Sequence, residues 1–222
     1  DTPKQYRLLG GEPLIKRTLK AFRESGVNIE QSVIVVAPDD LLIHDIVDGL
    51  SPAPRIVTGG KTRTQSVRKG LAALSHDPPD FVLIHDAARP FVTPKIIADT
   101  VKALKQAQAS VPVLPVIDAI KRIDPDGIKG DVDRRTARRV QTPQGFKYKD
   151  IWSAYQAIDQ KAAFSDDIAV AHHAGLRIRM IDGDERNFKV TFPGDMAKAE
   201  KILGEKMYTA TGNGFDVHAV EE

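Results

Sequence analysis

The chain contains no cysteine. That excludes a disulfide framework and any thiolate-bound metal. It leaves the redox compartment open, with the cytoplasm as the expected one. The chain also lacks any apolar run near the roughly 20 residues needed to span a bilayer, so no membrane partner is expected. An excess of one charge is missing too. The 32 basic residues face 30 acidic ones, a net charge of +2, which implies no bulk attraction to nucleic acid. No signal peptide, internal repeat, low-complexity tract or obvious Ser-His-Asp set is visible. The chain opens Asp1-Thr2-Pro3 without a Met, as if in mid-loop, and further residues are expected before it.

What is present reads as an α/β protein. With 222 residues, 41% hydrophobic and 28% charged, the chain suits one large domain or two small ones. Pro13 to Ser25 has apolar residues at helical spacing, closed by Gly26. Ser32 to Ala37 is a β-branched run that predicts a strand buried on both faces. A helix is predicted from Pro38 to about Leu50, a strand over Arg55–Thr58, a helix over Thr62–Ser75, and a strand over Phe81–His85. Pro94–Ala109 then reads as helix and Val111–Val116 as strand. Such alternation predicts a doubly wound, mostly parallel sheet. From Ile117 to Val140 the pattern turns polar around Asp124-Pro125-Asp126-Gly127, which predicts a projecting β-arm. Helices at Lys149–Asp159, Asp166–Ala174 and Pro193–Leu203, a strand at Leu176–Ile181 and an extended piece at Asn187–Thr191 complete the reading.

Several polar residues fall at predicted strand ends, where doubly wound folds bind ligands. Gly59-Gly60 lies between a strand and a helix, so its amides are expected to approach a phosphate. In "FVLIHDAARP" an apolar strand runs into His85-Asp86, with Arg89 three residues on. A cap, an ion pair and a stop at Pro90 would explain those residues structurally. Asp118 follows "VPVLPV". A carboxylate at Asp86 among Lys4, Arg63, Arg89 and Lys189 suits a metal-nucleotide site, with Asp86 on Mg²⁺ and the cations on phosphates. His172-His173, His44 and His76 are read as surface or packing residues. Trp152, Tyr155 and Ile158 are read as core rather than as a base-stacking platform. The arginines at 134, 135, 138 and 139 suit a phosphate-binding or dimer-contact arm better than RNA.

The segments "PKQY" (Pro3 to Tyr6), "GG" with "RTQSV" (Arg63 to Val67), "HDAARP" (His85 to Pro90), "VDR" (Val132 to Arg134), "TPQ" (Thr142 to Gln144) and "FKVT" (Phe188 to Thr191) come in order. Together they resemble the 2-C-methyl-D-erythritol 4-phosphate cytidylyltransferases of non-mevalonate isoprenoid synthesis, over nearly the whole chain to about Leu203. The resemblance implies transfer of CMP from CTP to 2-C-methyl-D-erythritol 4-phosphate, with Mg²⁺ and release of pyrophosphate. It implies Lys4 and Lys189 as catalytic residues, and Gly59, Gly60, Ser66 and Asp86 on the nucleotide. Arg89, Arg134, Ser165 and Lys189 would meet the acceptor substrate. Arg134 would act across a homodimer formed through the 117–140 arm. The family's glycine-rich loop ahead of "PKQY" is absent from these residues. Lys61 stands where an acidic residue is common, Ala119 where a Thr is common, and Ser165 where a Thr is common, though Ser keeps the hydroxyl.

The tail "TGNGFDVHAVEE", Thr211 to Glu222, reads as the start of another strand. Asp216 and His218 would share one face of it. As bare spacing this is a weak metal signal. "GFDVHA", however, resembles the start of 2-C-methyl-D-erythritol 2,4-cyclodiphosphate synthases, which some bacteria fuse behind the cytidylyltransferase. The expected organisation is a cytidylyltransferase domain at 1–204, a linker at 205–210 and the start of a cyclodiphosphate synthase domain at 211–222. Asp216 and His218 would be Zn²⁺ ligands of that second domain. Two other classes stay open on residues alone: another sugar-phosphate nucleotidylyltransferase, and a non-catalytic nucleotide- or RNA-binding module.

Overall fold

The computed structural model describes residues 3–159 and 161–204. The expected linker and second-domain start, with Asp216 and His218, lie outside the described residues. A 3-10 turn at Lys4–Tyr6 leads into a hairpin of β1 (Leu8–Leu9) and β2 (Glu12–Pro13). Then come α1 (Leu14–Arg23), β3 (Val33–Val36), α2 (Leu42–Val47), β4 (Arg55–Thr58), α3 (Arg63–Ala72), β5 (Phe81–Ile84), α4 (Pro94–Leu104) and β6 (Ala109–Pro115). The predicted alternation is therefore observed. Its helix starts are written in side-chain chemistry. Thr62 accepts from the Gln65 amide at the head of α3, and Thr93 accepts from the Ile96 amide at the head of α4, where Pro94 opens the first turn.

After β6 the chain forms the predicted arm, a hairpin of β7 (Ile120–Asp124) and β8 (Gly127–Val132). It returns through β9 (Arg138–Val140) and β10 (Gln144–Lys147), and continues through α5 (Tyr148–Ala157), α6 (Asp167–His173), β11 (Ile178–Asp182) and α7 (Pro193–Gly204). The central sheet runs β11-β6-β10-β5, with β9 also on β6. Strand β10 is antiparallel to both β5 and β6, so those two point the same way, and β11 lies parallel to β6. The main strand direction is thus the shared one that was expected. The reversed pieces, β9 and β10, follow from the arm. A chain that leaves at the carboxyl end of β6 and returns to the same end must run back down the sheet.

Three expectations shift. The helix expected from Pro38 begins at Leu42, because Asp39 takes a positive φ of 64° and the Asp40 carboxylate accepts the Tyr6 hydroxyl at 2.6 Å. The helix expected to reach Ala109 stops at Leu104, because Ala109 and Ser110 are fully buried at the start of β6. Strand β3 pairs with β4 alone, and of its residues only Ile34 is buried. The largest apolar cluster packs Phe146, Tyr148, Ile151, Tyr155 and Val170 between β10, α5 and α6. Each such side chain stabilises the fold by roughly 1.5–3 kcal/mol. A second cluster joins Tyr6, Ile15, Ile34 and Ile43, with Ala87 packed against it. It seats the Lys4–Tyr6 turn beside the end of β5.

Candidate active site

Strand β5 stops at Ile84, and the next residues fold into a turn closed by the Arg89 amide on the Asp86 carbonyl at 3.0 Å. The Asp86 carboxylate stands at the centre of a polar junction. Its Oδ2 accepts from Arg89 Nε at 3.1 Å and its Oδ1 from Lys189 Nζ at 3.2 Å. Arg89 Nη1 donates to the Asn187 carbonyl at 2.7 Å, and the Val190 amide donates to the Ala88 carbonyl at 2.8 Å. The segment carrying Lys189 is thereby sewn onto the "HDAARP" turn. From the other side, Thr18 of α1 donates to the Ala87 carbonyl at 2.9 Å. Burial alone would raise the Asp86 pKa, but the charges of Lys189 and Arg89 outweigh it and hold the carboxyl below its usual range. The structural reading of this stretch is observed, and it leaves the carboxylate in place for the functional one. Arg89 does pair with Asp86, and the pair leaves an ionised carboxylate at the carboxyl end of a strand.

His85 supports this turn from beneath. Its Nε2 lies 3.2 Å from the Arg89 carbonyl, which can only accept, so Nε2 carries the proton. Its Nδ1 then accepts from Thr142 Oγ1 at 3.0 Å, and Thr142 Oγ1 accepts the Asp86 amide at 3.1 Å. With Thr142 as the donor to Nδ1, the ring is neutral, as its burial also favours. Burial lowers the His85 pKa to about 4 from an ordinary 6.5. In the unfolded chain the ring protonates as the pH falls through 6.5, while in the fold it stays neutral down to about 4. Stability contributed by the neutral ring is therefore complete above 6.5 and is lost between 6.5 and 4, by roughly 3 kcal/mol. Denaturant melts of a His85→Gln variant should show a shallower acid limb than the parent across that window; an identical limb contradicts the assignment.

The double glycine is spaced by packing. The Gly59 amide donates to the Val36 carbonyl at 2.7 Å and the Gly60 amide to Ser66 Oγ at 3.1 Å. A Cβ on Gly59 would lie 2.8 Å from Ser66 Oγ, and one on Gly60 would lie 2.4 Å from Gln65 Cβ. The sequence predicts amides open to a phosphate. In the structure both amides bond to the protein, and the space a side chain would need is filled by the first turn of α3. Ser66 also donates to the Thr62 carbonyl at 3.0 Å.

The remaining expected residues are placed as follows. Lys4 is exposed on the turn that Tyr6 anchors. Lys189 is on the Asp86 junction, and Arg89 faces inward there with its side chain only 12% exposed. Ser165 is exposed one residue before Asp166, which caps α6 by accepting the Ala169 amide at 2.8 Å. Arg134 is exposed at the foot of the arm and donates to the Ile117 carbonyl at 2.7 Å. Asp118 is exposed and lines an open hollow with Ile117, Arg139 and Glu185. His44, His76, His172 and His173 are exposed, and Tyr155 and Ile158 are core, as predicted. Trp152 stacks on Tyr148 at 6.5 Å.

Sequence reasoning missed the buried polar partners. Gln144 donates to Asp166 at 3.0 Å and accepts the amides of Asp167 at 3.1 Å and Ile168 at 3.0 Å. Asp167, wholly buried, accepts from Arg63 at 3.0 and 2.5 Å and from the Tyr155 hydroxyl at 2.5 Å. Asn187 donates to the Thr142 carbonyl at 2.8 Å. The one available signal was position. Asp167 follows the capping Asp166 directly, and a second acid beside a cap invites the question of what faces it.

Comparison with known proteins places the chain in a family. The family described as "IspD: 2-C-methyl-D-erythritol 4-phosphate cytidylyltransferase" matches residues 1–205. A Cereibacter sphaeroides protein named 2-C-methyl-D-erythritol 4-phosphate cytidylyltransferase is 41% identical over 204 residues, 91% of this chain and 89% of that protein. The "Bifunctional enzyme IspD/IspF" of Rhodopseudomonas palustris (strain BisB5) is 41% identical over 98% of this chain. This chain spans 55% of that bifunctional protein, about half its length. Among solved structures, the Thermus thermophilus 2-C-methyl-D-erythritol 4-phosphate cytidylyltransferase superposes with a TM-score of 0.77 at 30% identity, covering 92% of this chain and 95% of that one.

Proposed function

The chain belongs to the 2-C-methyl-D-erythritol 4-phosphate cytidylyltransferase family, and on that premise we propose that it transfers CMP from CTP to 2-C-methyl-D-erythritol 4-phosphate. An oxygen of the acceptor phosphate attacks the α-phosphorus of CTP, and the bond from that phosphorus to the bridging oxygen breaks. Pyrophosphate leaves and CDP-methylerythritol forms. The observation that carries this reading is the Asp86 junction. An ionised carboxylate lies just past the end of β5, with Lys189 and Arg89 in contact and the Lys4 turn seated beside it. Phosphoryl transfer of this kind rests on positioning and electrostatics, and it needs no covalent nucleophile.

Asp86 is the residue that would hold Mg²⁺. Among the described residues no group of three or more His, Asp or Glu converges as a metal cage. A lone carboxylate suits Mg²⁺, which one or two carboxylates and substrate phosphates commonly hold. When bound there, the ion neutralises charge on the triphosphate. Lys189 contacts Asp86 through one ammonium proton, and its side chain is 40% exposed, so it is free to meet a phosphate from the same place. Lys4 supplies positive charge to the oxygens of the reacting phosphoryl group. Pyrophosphate release from CTP, assayed against a panel of acceptor phosphates, tests the reading. Turnover confined to methylerythritol phosphate supports it. Turnover with a sugar phosphate instead, or salt-sensitive RNA binding without turnover, overturns it.

We further propose a homodimer in which Arg134, at the foot of the arm, reaches the partner's acceptor. Mixing inactive Lys4→Ala with inactive Arg134→Ala subunits should then restore about a quarter of the parent activity. Half of randomly mixed dimers are hybrids, and each hybrid has one intact site of two. Hybrids that form yet stay inactive refute action across the interface. We also propose that 205–210 is a linker and 211–222 the start of a cyclodiphosphate synthase domain with Asp216 and His218 on Zn²⁺. The likeness to bifunctional proteins of about twice this length supports that proposal. Stoichiometric zinc in the full-length protein, lost in an Asp216→Ala, His218→Ala double variant, is the expected result.

A further inference from the structure

An ion pair between the buried Asp167 and the partly exposed Arg63 links two segments that the proposed transfer must hold in register. Asp167 has no exposed surface, and its carboxylate receives both terminal nitrogens of Arg63, 104 residues away in sequence, at 3.0 and 2.5 Å. Tyr155 adds its hydroxyl at 2.5 Å, and the Asp167 amide is held by Gln144 at 3.1 Å. Gln144 is itself paired with Ile84, the last residue of β5. Arg63 opens α3, the helix whose Ser66 holds the Gly60 amide. Asp167 opens α6, two residues after Ser165. Sequence alone sets Arg63 among the cations around Asp86; in the structure its guanidinium is bound by Asp167 instead, and among the described residues only Arg89 and Lys189 bond to the Asp86 carboxylate.

The two sides of the pair are anchored unequally. Helix α3 has independent ties to the sheet: Lys69 donates to the Gly59 carbonyl at 2.9 Å, Ser66 bridges Gly60 and Thr62, and Gly70 packs against Val35. The stretch around Ser165 has no regular structure of its own before α6. Its ties are the Asp167 carboxylate, the Gln144 bonds, a long 3.5 Å contact from the Phe164 amide to Thr64, and the Phe164 ring packed on the core and against His173 at 5.5 Å. Loosening Arg63 from Asp167 therefore leaves α3 tied to the sheet and weakens the hold on the Ser165 side, which keeps the Gln144 bonds and the Phe164 packing.

We propose that Arg63 and Asp167 are positioning residues that fix Ser165 against the acceptor phosphate, at a set distance from the nucleotide loop at Gly59–Ser66. This rests on the cytidylyltransferase reading above, in which Ser165 meets the acceptor. Arg63 gives both partners a planar, two-bond fit that a lysine cannot reproduce.

The test compares the full-length parent with Arg63→Lys, and with an Arg63→Gln, Asp167→Asn double variant that leaves no unpaired buried charge. Steady-state kinetics are measured in both substrates, alongside melting temperature. A small misplacement of a binding group costs on the order of tenfold or more. The KM for methylerythritol phosphate should rise about tenfold in both variants, while the KM for CTP stays within about twofold. An unchanged acceptor KM in a folded variant overturns the proposal. So does an equal rise in both KM values, and so does failure of both variants to fold, which would make the pair a folding element only. Failure of the underlying reading is seen elsewhere, as a parent protein that does not turn over methylerythritol phosphate at all.

Discussion

Replacing Asp86 with Asn should remove Mg²⁺-dependent turnover and leave a folded chain. A neutral amide is a poor partner for a hard cation that prefers anionic oxygen. The junction that the carboxylate organises would also lose its charge match with Lys189 and Arg89. Arg89 keeps its bond to the Asn187 carbonyl, and the Asp86 amide keeps Thr142, because both involve backbone atoms the substitution does not touch. Losing hydrogen bonds to charged groups costs roughly 1–3 kcal/mol of stability. The lower half of that range is expected, since the Asp86 side chain is 21% exposed and an Asn oxygen can still accept from Arg89. The catalytic loss should be far larger, roughly 10²- to 10³-fold in kcat or beyond, as for removal of one preorganised electrostatic group. Turnover measured across a Mg²⁺ titration, with a parallel thermal melt, checks both halves. Parent-like activity with unchanged metal dependence would falsify the assignment.

Asp86 could be read from sequence because a strand announces its own end. Four apolar residues followed by His-Asp leave the acid where doubly wound folds put ligands. Lys189 was legible more faintly, from a short extended piece and from its match to a family pattern. Its own strand signal was short, and the structure holds its segment through the Val190 amide on the Ala88 carbonyl and the Arg89 bond to the Asn187 carbonyl, not through a sheet ladder. The long-range polar partners around the site were not legible. Thr142 meets Asp86 across 56 positions, Arg89 meets Asn187 across 98, and Arg63 meets Asp167 across 104. Buried polar groups must find hydrogen bonds, but periodicity does not say with whom.

Strand β10 shows the same limit in the backbone. "TPQGF" carries the residues of a turn, so nothing in it suggests the centre of a sheet. Gly145 is there because β10 lies pressed between β5 and β6. A Cβ would sit 2.6 Å from Thr100 Cγ2 and 2.7 Å from Ser110 Oγ. A glycine selected by close packing reads locally like a glycine selected by a turn. The arm, in contrast, was visible because its polar strands and its Asp-Pro-Asp-Gly turn answer to solvent, and local signals suffice there.

Lys4→Ala should separate catalysis from folding most cleanly. Lys4 is exposed, and the turn that carries it is held by its neighbour: Tyr6 is buried in the cluster with Ile34 and Ala87, and its hydroxyl bonds to Asp40. Burial and that bond push the Tyr6 pKa up to about 12, so the hydroxyl remains a donor at any working pH. Truncating Lys4 removes none of these contacts. A surface substitution of this kind changes stability by no more than about 0.5 kcal/mol. In the proposed reaction, however, the α-phosphoryl group gains charge on its oxygens as the bridging bond breaks, and the Lys4 ammonium, carried on the turn that Tyr6 anchors, would meet that charge. Losing one such group lowers kcat by roughly 10²-fold or more, about 2.7 kcal/mol of transition-state stabilisation. The KM for each substrate should move much less, because the interaction grows on the way to the transition state. Normal kcat in a Lys4→Ala protein with the parent's melting temperature would remove Lys4 from the mechanism. A fall in melting temperature matching the loss of activity would instead recast the turn as structural.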